Sequence, residues 1–481
     1  MSDVKESQEF KYSFGVHASY GLGGFLDNFI QAAFTTRLFY YYLVVLNLDF
    51  LYLGIAYGIF GVWNMVNDVV LGNLSDRKYK WTSKWGRRFP WFTFGILTYA
   101  VSYWALFAAP FASGATQQLG KFLWCLITLI VFELLFSLWQ INWLSIFPDK
   151  YRTTRERNRI GVWTTIWGVL GIVLGVLIPP LVMTDYLPKF DYLLSGLVVA
   201  IVTLVAAVAS IPGMREDKEL IDRQLDILER KEEKEKESFV QILKSCLGDK
   251  NFLAYVLTYM GHQVMTVFLL GLLPFWNTVV IGSSDPDTEL VMGIFFLIAV
   301  LAGTPFWSFI GRKLGNKKAF ILGTFITTWL FIPLWFVGVG PLVGDLALYF
   351  TAIILALIGF GIGAIWTLMY PCFSDVMDNI VVRSEERKEG AYTGIRTFFG
   401  RFSFVLQALF FSLILWGTGF NPYVLDPTDP QPASALIGLR VLFSLIPQIF
   451  YFIGFLLMWK VYDLDMACVA KNRELLEQKI L

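Results

Sequence analysis

Polar side chains with oxygen atoms suited to a bound cation interrupt an apolar stretch around Asn64. Asn64 and Asp68 lie four residues apart, so a helix places them on one face, and hard cations bind several such oxygens at once. Ser137 and Gln140, three residues apart in a second apolar stretch, would add two more ligands. We therefore predict a cation site of Asp68, Asn64, Ser137 and Gln140, with sodium at Asp68 the one metal expected. The alternative is a hydrogen-bond cluster between helices that binds no ion.

Further charged residues occur within apolar stretches, where a charge is costly and usually faces a bundle interior or a water-filled cavity. They are Asp27, Arg37, Glu133, Arg396 and Arg401. Arg401 keeps its charge and needs an anionic partner. We predict Asp68 of the other half of the chain, and the alternative is an ion pair within its own half. Arg37 and Glu133 are expected to neutralise one another, with solute contact as the alternative.

The composition defines the broad class of protein that must position these groups. Hydrophobic residues make up 56% of the chain and charged residues 16%, with a mean hydropathy of +0.58, as in polytopic membrane proteins. The net charge of +1 argues against a nucleic-acid partner, and two histidines are too few for a metal centre. The polar N-terminus does not resemble a cleaved signal, so we expect the first apolar span to be retained.

The apolar stretches predict an all-α membrane protein of twelve spans in two six-helix halves, since about 20 apolar residues cross a bilayer. The spans lie near 14–45, 50–74, 91–112, 120–147, 159–182, 191–212, 252–281, 290–311, 319–339, 345–375, 391–418 and 437–463. Basic residues concentrate between spans two and three, four and five, and eight and nine. The positive-inside bias therefore predicts two cytoplasmic termini in a multi-pass protein of the cell membrane.

Four regions follow from this division. They are an N-terminal half at 1–212, a cytoplasmic linker at 213–250, a C-terminal half at 251–463 and a cytoplasmic tail at 464–481. Apolar residues at helical spacing within the charged linker predict an amphipathic helix, which acts either as a solvated connection or as a regulatory or membrane-surface element. Similar basic turns at corresponding places suggest related halves, with a solute site near the midplane between them.

Tryptophans and histidines contribute fewer candidates. Flat rings with an N–H group suit stacking against sugars, but most tryptophans of so aromatic a chain belong to the core or the interface belt. Only Trp366, in the glycine-rich run 359–363, is a candidate for solute contact. His262 is expected to be a hydrogen-bonded packing residue rather than a proton relay.

With these residues in hand, the chain resembles the glycoside–pentoside–hexuronide:cation symporter family of the major facilitator superfamily, of which melibiose permease is the type. The most specific motif runs from Trp63 to Asp68 through Gly72, and continues with Trp85-Gly86-Arg87 and Pro90-Trp91. The second motif is 374–378, Ser-Asp-Val-Met-Asp, followed by Arg-Lys-Glu-Gly at 387–390. The resemblance covers essentially the whole chain.

The resemblance implies roles at individual positions. Asp68 matches a carboxylate of the family's cation site, Ser137 its span-four hydroxyl, and Arg401 a nearby span-eleven lysine. Trp366 and Thr397 match residues that line the sugar pocket, and Asn28 and Gln140 stand where the family has sugar-binding acids. We also predict Arg401 as a substrate-binding residue. The residues that match the cytoplasmic charge network are Asp375, Asp378, Arg387 and Glu389, and we predict Asp76, Arg77 and Arg87 as further gate residues.

Departures from the family pattern weaken two of these expectations. Asn64 replaces one of two carboxylates, so sodium affinity should fall, and proton coupling through Asp68 or loss of coupling becomes an alternative. Asn28 and Gln140 replace sugar-binding acids, which argues against galactosides. Glu133 matches a related branch, the sodium-dependent lysophospholipid symporters.

We therefore expect a secondary active transporter, with sodium or a proton as the coupling ion and no other cofactor, that moves a sugar or related small solute by alternating access. The alternatives are a lysophospholipid or other amphipathic-solute symporter and an uncoupled facilitator. The expected partners are the solute and the lipid bilayer, and the protein is expected to be a monomer. A membrane sensor would carry an output domain larger than 213–250, and an enzyme would need a nucleophile–base pair; neither pattern is found in the sequence.

Overall fold

A computed structural model describes residues 11–75, 77–230, 244, 246–384, 389–422 and 431–479. Within these ranges the regular structure is helical and contains no strand. The chain divides into two compact units, Met1–Glu235 and Lys236–Leu481. The predicted all-α architecture is confirmed for the described residues.

Six long helices build the first unit. They are α1 Phe14–Tyr40, α2 Phe50–Ser75, α3 Phe89–Phe107, α4 Gln118–Lys150, α5 Thr154–Val182 and α6 Lys189–Met214. A π-helical segment, Tyr41–Val45, continues α1, and a one-turn helix, Thr82–Trp85, lies between α2 and α3. A linker helix, Lys218–Arg230, follows α6.

The second unit repeats this order. Its long helices are α7 Lys250–Phe275, α8 Pro286–Leu314, α9 Asn316–Leu330, α10 Gly344–Ser384, α11 Glu389–Gly417 and α12 Ala433–Lys460. The segments Trp276–Ile281 and Ile332–Phe336 extend α7 and α9 as π- and 3-10 helix, and α12 contains a π-helical segment at Val441–Leu445. A tail helix, Met466–Lys479, follows α12.

Ten helical segments of the described chain are long and apolar enough to cross a membrane. They correspond to α2 and to α4 through α12. The helices α1 and α3 form at the positions of predicted spans one and three but are not among the ten. The protein is thus a multi-pass membrane protein.

The helices pack in the same pairs in both units. In the first unit the main pairs are α1–α5, α1–α6, α2–α4, α3–α4 and α3–α6, and in the second they are α7–α11, α7–α12, α8–α10, α9–α10 and α9–α12. Glycines permit the closest approaches: a Cβ added at Gly171 would lie 2.6 Å from the Phe25 carbonyl oxygen, and one at Gly359 would lie 2.6 Å from that of Phe296. Small residues let membrane helices approach in this way.

The linker helix Lys218–Arg230 lies in the segment where the sequence predicts an amphipathic helix, and it is docked on the first unit. Leu220 and Ile221 are 2% and 6% exposed, so the apolar face is buried rather than solvated. Arg223 Nη2 donates to the Asp149 carbonyl at 2.7 Å, which fixes the helix against the end of α4. The rest of the predicted linker, at 231–243 and 245, lies outside the described residues.

Candidate functional site

The polar face of α2 points into the first unit. Asn64 and Asn67 are buried, and Asp68 is half-buried. Asn67 lies between the two predicted ligands on the same face, because residues three and four apart share a helix face. These three polar side chains on one helix face form one wall of a polar interior.

A buried cluster joins this wall to α4 through Asn67. Ser137 Oγ donates to Asn67 Oδ1 at 3.1 Å and lies 3.3 Å from Glu133 Oε1. Asn67 Nδ2 donates to the Glu133 carbonyl at 3.3 Å. Ser137, Glu133 and Asn67 are all fully buried. Asn67 was not among the predicted ligands, although its spacing from Asn64 was the signal that would have found it.

The remaining predicted ligand on α4, Gln140, is directed to α1. Its Nε2 donates to Asp27 Oδ1 at 2.6 Å, so one amide proton is committed to a carboxylate. Tyr99 of α3 lies within electrostatic range of both Asp27 and Glu133. The cluster and this pair together supply two carboxylates, a hydroxyl and two amides from α1, α2 and α4, residue types that suit a hard cation or a proton.

Two other predicted residues of α1 have separate environments. Asn28 Nδ2 donates to the Gly24 carbonyl of its own helix at 2.8 Å. Arg37 is 1% exposed, and its guanidinium lies 5.7 Å from the centre of the Tyr186 ring. Neutralisation of Arg37 by Glu133 remains a prediction.

In the second unit, Trp366 belongs to a hydrogen-bonded chain across three helices. Its Nε1 donates to His262 Nε2 at 3.2 Å, and His262 Nδ1 lies 2.9 Å from the Tyr451 hydroxyl. An indole N–H only donates, so Nε2 is the acceptor and the neutral ring carries its proton on Nδ1. His262 thus has a hydrogen bond at each ring nitrogen, and its packing role remains a prediction.

Arg396 of α11 sits among aromatic rings. Its guanidinium lies 4.5 Å from the ring centre of Tyr259, 4.8 Å from that of Tyr370 and 5.2 Å from that of Phe373. These distances are typical of cation–π contacts. The sequence singled out Arg396 as a charge within a span but did not assign it to a site.

The two predicted pocket residues that follow on α11 differ in exposure. Thr397 is half-buried and its hydroxyl donates to the Thr393 carbonyl at 3.0 Å. Arg401 is buried, at 8% exposure. The proposed pairing of Arg401 with Asp68 joins the two units and remains a prediction.

Of the residues predicted for the gate of the first unit, Arg87 lies near an acidic side chain, and its neighbour Arg88 makes the buried contacts. Arg87 Nη2 lies 3.8 Å from Asp149 Oδ2, while Arg77 is exposed and Asp76 lies outside the described residues. The buried cation here is Arg88, which donates to Ser75 Oγ at 2.9 Å and to Asn142 Oδ1 at 3.4 Å. Arg88 therefore ties the start of α3 to α2 and α4, a role that sequence reasoning missed.

Glu216, directly after α6, caps the start of α3. Its carboxylate accepts the backbone N–H groups of Arg87, Arg88 and Phe89 at 3.2, 2.6 and 3.0 Å. These groups have no partner within a helix, and a negative charge is favourable at a helix N-terminus. Burial raises the pKa of Glu216, and the three N–H groups lower it in part.

In the second unit, the predicted gate residue Asp375 binds a side-chain amide. Asp375 is 2% exposed and accepts from Asn316 Nδ2, at the start of α9, at 2.9 Å. Asp378 is half-buried. Arg387 lies outside the described residues, and the side chain of Glu389 is likewise not described.

Ten apolar helical segments of the described chain, packed in the same pairs in both units around buried polar residues, suit a membrane transporter, and comparison with known proteins agrees. The family model for MFS/sugar transport proteins matches residues 19–466, so the chain belongs to this family. Sodium-dependent lysophosphatidylcholine symporter 1 of Gallus gallus is 22% identical, over 91% of this chain and 84% of that protein.

Two further likenesses extend this result. A putative 2,3-dihydroxypropane-1-sulfonate exporter of Salmonella typhimurium is 23% identical, over 96% of this chain and 95% of its own length. The crystal structure of a D-xylose–proton symporter superposes with a TM-score of 0.62 at 13% identity, over 94% of this chain and 98% of that one. The fold is therefore that of major facilitator superfamily transporters.

Proposed function

We propose that this protein is a secondary active transporter of the cell membrane that couples sodium or a proton to the movement of a sugar or related small organic solute by alternating access. Family membership supports the transport class. The observation that carries the coupling is the buried cluster of Glu133, Ser137 and Asn67, with the separate Asp27–Gln140 pair about one turn further along α4. Ionisable residues within membrane helices mark ion pathways and proton relays.

Glu133 is the coupling residue that we favour alongside Asp68. It is fully buried, and its Oε1 lies 3.3 Å from Ser137 Oγ. Binding of a cation or a proton to this carboxylate therefore changes the charge at the centre of the cluster. Asn64 leaves Asp68 as the one carboxylate of α2. A second acid on α4 offsets that loss, which supports coupling despite the departure from the two-carboxylate pattern.

The test is uptake into proteoliposomes under a sodium gradient, a proton gradient or neither, after a thermal-shift screen of sugars, nucleosides and lysolipids has identified a stabilising solute. Glu133→Gln should abolish gradient-driven uptake while exchange of solute at equal concentrations persists. Asp226→Asn, which removes an exposed carboxylate of the linker helix, is the matched control. Unchanged dependence on both gradients in Glu133→Gln and in Asp68→Asn would disprove the coupling role.

A second candidate solute is a lysophospholipid or another amphipathic molecule with an anionic group. The lysophosphatidylcholine symporter supports the amphipathic solute, and the sulfonate exporter supports only the anionic group. Arg396 supports it as well, because its guanidinium is a fixed positive charge among aromatic rings. No acidic partner of this charge occurs among the described contacts. In the same assay, lysophosphatidylcholine uptake that is abolished by Arg396→Gln, with no response to any sugar, would favour this candidate over the first.

A further inference from the structure

A groove of about 760 Å³ opens on the surface of the second unit. It lies where α8 and α12 end and α9 begins, next to the start of the tail helix. Its floor is apolar and consists mainly of Leu322 and Phe325 from α9 and Phe455 and Trp459 from α12. Leu322 and Phe325 are each 41% exposed and Trp459 is 51% exposed. These side chains belong to spanning helices, so acyl chains of the bilayer are their natural surroundings.

The aromatic wall of this groove is ordered by ring contacts. The centroids of Phe325 and Phe455 are 5.2 Å apart, and Phe455 stacks on Trp459 at 5.7 Å. Lys460 Nζ lies 3.9 Å from the centre of the Trp459 ring, at the end of α12. Tryptophan beside lysine at a helix end is typical of the level of lipid headgroups.

The rim of the groove is basic. Lys317 and Lys318 line it at the start of α9, and Lys460 stands beside it. Asp465 is the one acidic residue of the lining, and its carboxylate accepts the Cys468 N–H at 2.8 Å, which directs it to the start of the tail helix. A rim of lysines above an apolar groove is complementary to a phosphate headgroup with an acyl chain.

We propose that this groove binds an anionic phospholipid of the surrounding bilayer, with its phosphate between Lys317 and Lys318 and one acyl chain along Leu322, Phe325 and Phe455. Basic pockets between membrane helices on the cytoplasmic side bind such headgroups. The basic turn between α8 and α9 is the side that the sequence predicts to be cytoplasmic, where anionic lipids are concentrated. The site is separate from the solute and cation residues and does not depend on the transported solute.

Native mass spectrometry of the full-length protein, titrated with phosphatidylglycerol or phosphatidylcholine in detergent, tests this proposal. The wild type should bind phosphatidylglycerol more tightly. Lys317→Gln/Lys318→Gln should weaken that binding by roughly ten- to thirtyfold, from about 1 kcal/mol per lysine, and leave phosphatidylcholine binding unchanged. Leu322→Trp, which fills the groove, should weaken binding of both lipids.

The matched control is Arg312→Gln/Lys313→Gln, which removes the same charge from exposed residues of the same turn that do not line the groove. It should change phosphatidylglycerol binding less than twofold. Equal losses in the two double variants would mean diffuse surface attraction and overturn the proposal, as would equal affinity of the wild type for the two lipids. Protection against thermal unfolding by inorganic phosphate alone, matching that by phosphatidylglycerol, would replace the lipid with a soluble anion.

Discussion

The turns that start α3 and α9 occupy corresponding places in the two units and share one backbone conformation. Gly86 has φ 88° and ψ 178°, and Gly315 has φ 85° and ψ 153°. This region of backbone space is open essentially to glycine alone. The same device therefore ends the basic turn and begins the third helix in each half.

The residues that close over these glycines differ. A Cβ at Gly86 would lie 2.6 Å from Glu216 Oε1, the carboxylate that follows α6 and caps α3. A Cβ at Gly315 would lie 3.3 Å from Met466 Cβ, in the segment that follows α12. The first unit thus closes its turn with a buried carboxylate that packs on the glycine itself. In the second unit an apolar side chain packs on the glycine, and the buried carboxylate of Asp375 accepts from the neighbouring Asn316.

This difference shows that a duplicated backbone does not require duplicated chemistry. In the first unit the linker is part of the fold, because Glu216 stabilises the start of α3. In the second unit the tail contributes packing, and the polar contact comes from α10. The two halves should therefore respond unequally to equivalent substitutions.

The largest expected effect is that of Gly86→Ala. Backbone strain costs about 1–3 kcal/mol at either glycine. At Gly86 the new methyl group also displaces Glu216 from three N–H groups, which adds about 2–4 kcal/mol. Gly315→Ala should cost only the strain, because Met466 needs to move by a few tenths of an ångström. Thermal unfolding in detergent, followed by tryptophan fluorescence, measures both variants.

The double variant Gly86→Ala/Glu216→Ala tests whether the collision between the new methyl group and the Glu216 carboxylate causes the extra loss of stability. Removal of the carboxylate removes the collision, so the two changes should be strongly non-additive, and Gly86→Ala should then cost about as much as Gly315→Ala. Simple additivity would show that Glu216 yields without losing its hydrogen bonds. In that case the contrast between the two turns would not hold.

The second prediction concerns the cap itself. Glu216→Ala leaves three N–H groups at the start of α3 without their acceptor and should cost about 2–4 kcal/mol. Glu216→Gln keeps one acceptor oxygen and should cost less than half as much. Protease resistance of the 213–230 region, compared with thermal unfolding, checks that the linker detaches in the alanine variant. Equal stability of Glu216→Ala and wild type would contradict the capping role.

The third prediction moves to the second unit. Asp375→Ala should cost about 1–2 kcal/mol, because the Asn316 amide loses a buried acceptor, whereas Asp375→Asn retains an oxygen and should cost less. If the charge of Asp375 acts in a gate, transport should not follow stability. Asp375→Asn should then slow uptake as much as Asp375→Ala, although it destabilises the protein less. Transport that follows stability in both variants would mean that Asp375 has only a packing role here.

The contrast between the turns also shows what sequence reasoning can reach. Helix positions, the related halves and the polar stretch on α2 follow from hydropathy and spacing, which are local properties. Asn67, Arg88 and Arg396 were visible as residue types, but their partners lie on other helices, as in Asn67 with Ser137 or Arg396 with Tyr259. Glu216 gave no signal, because a carboxylate after a span resembles any solvated charge until the fold buries it beside Gly86.

The smallest expected effect is the pH dependence of the Glu216 cap. Burial raises its pKa above the ordinary value of 4.5, so the folded protein binds this proton more readily than the unfolded chain. The stabilising contribution of that proton is complete below about pH 4.5 and is lost as the pH rises through the raised pKa. The stability margin of wild type over Glu216→Gln should therefore shrink slightly from pH 4.5 towards pH 7. Unfolding midpoints of the two proteins across this range measure the margin. A margin that grows with pH would mean that the three N–H groups outweigh burial and hold the carboxylate charged, which would make the asymmetry between the two turns larger.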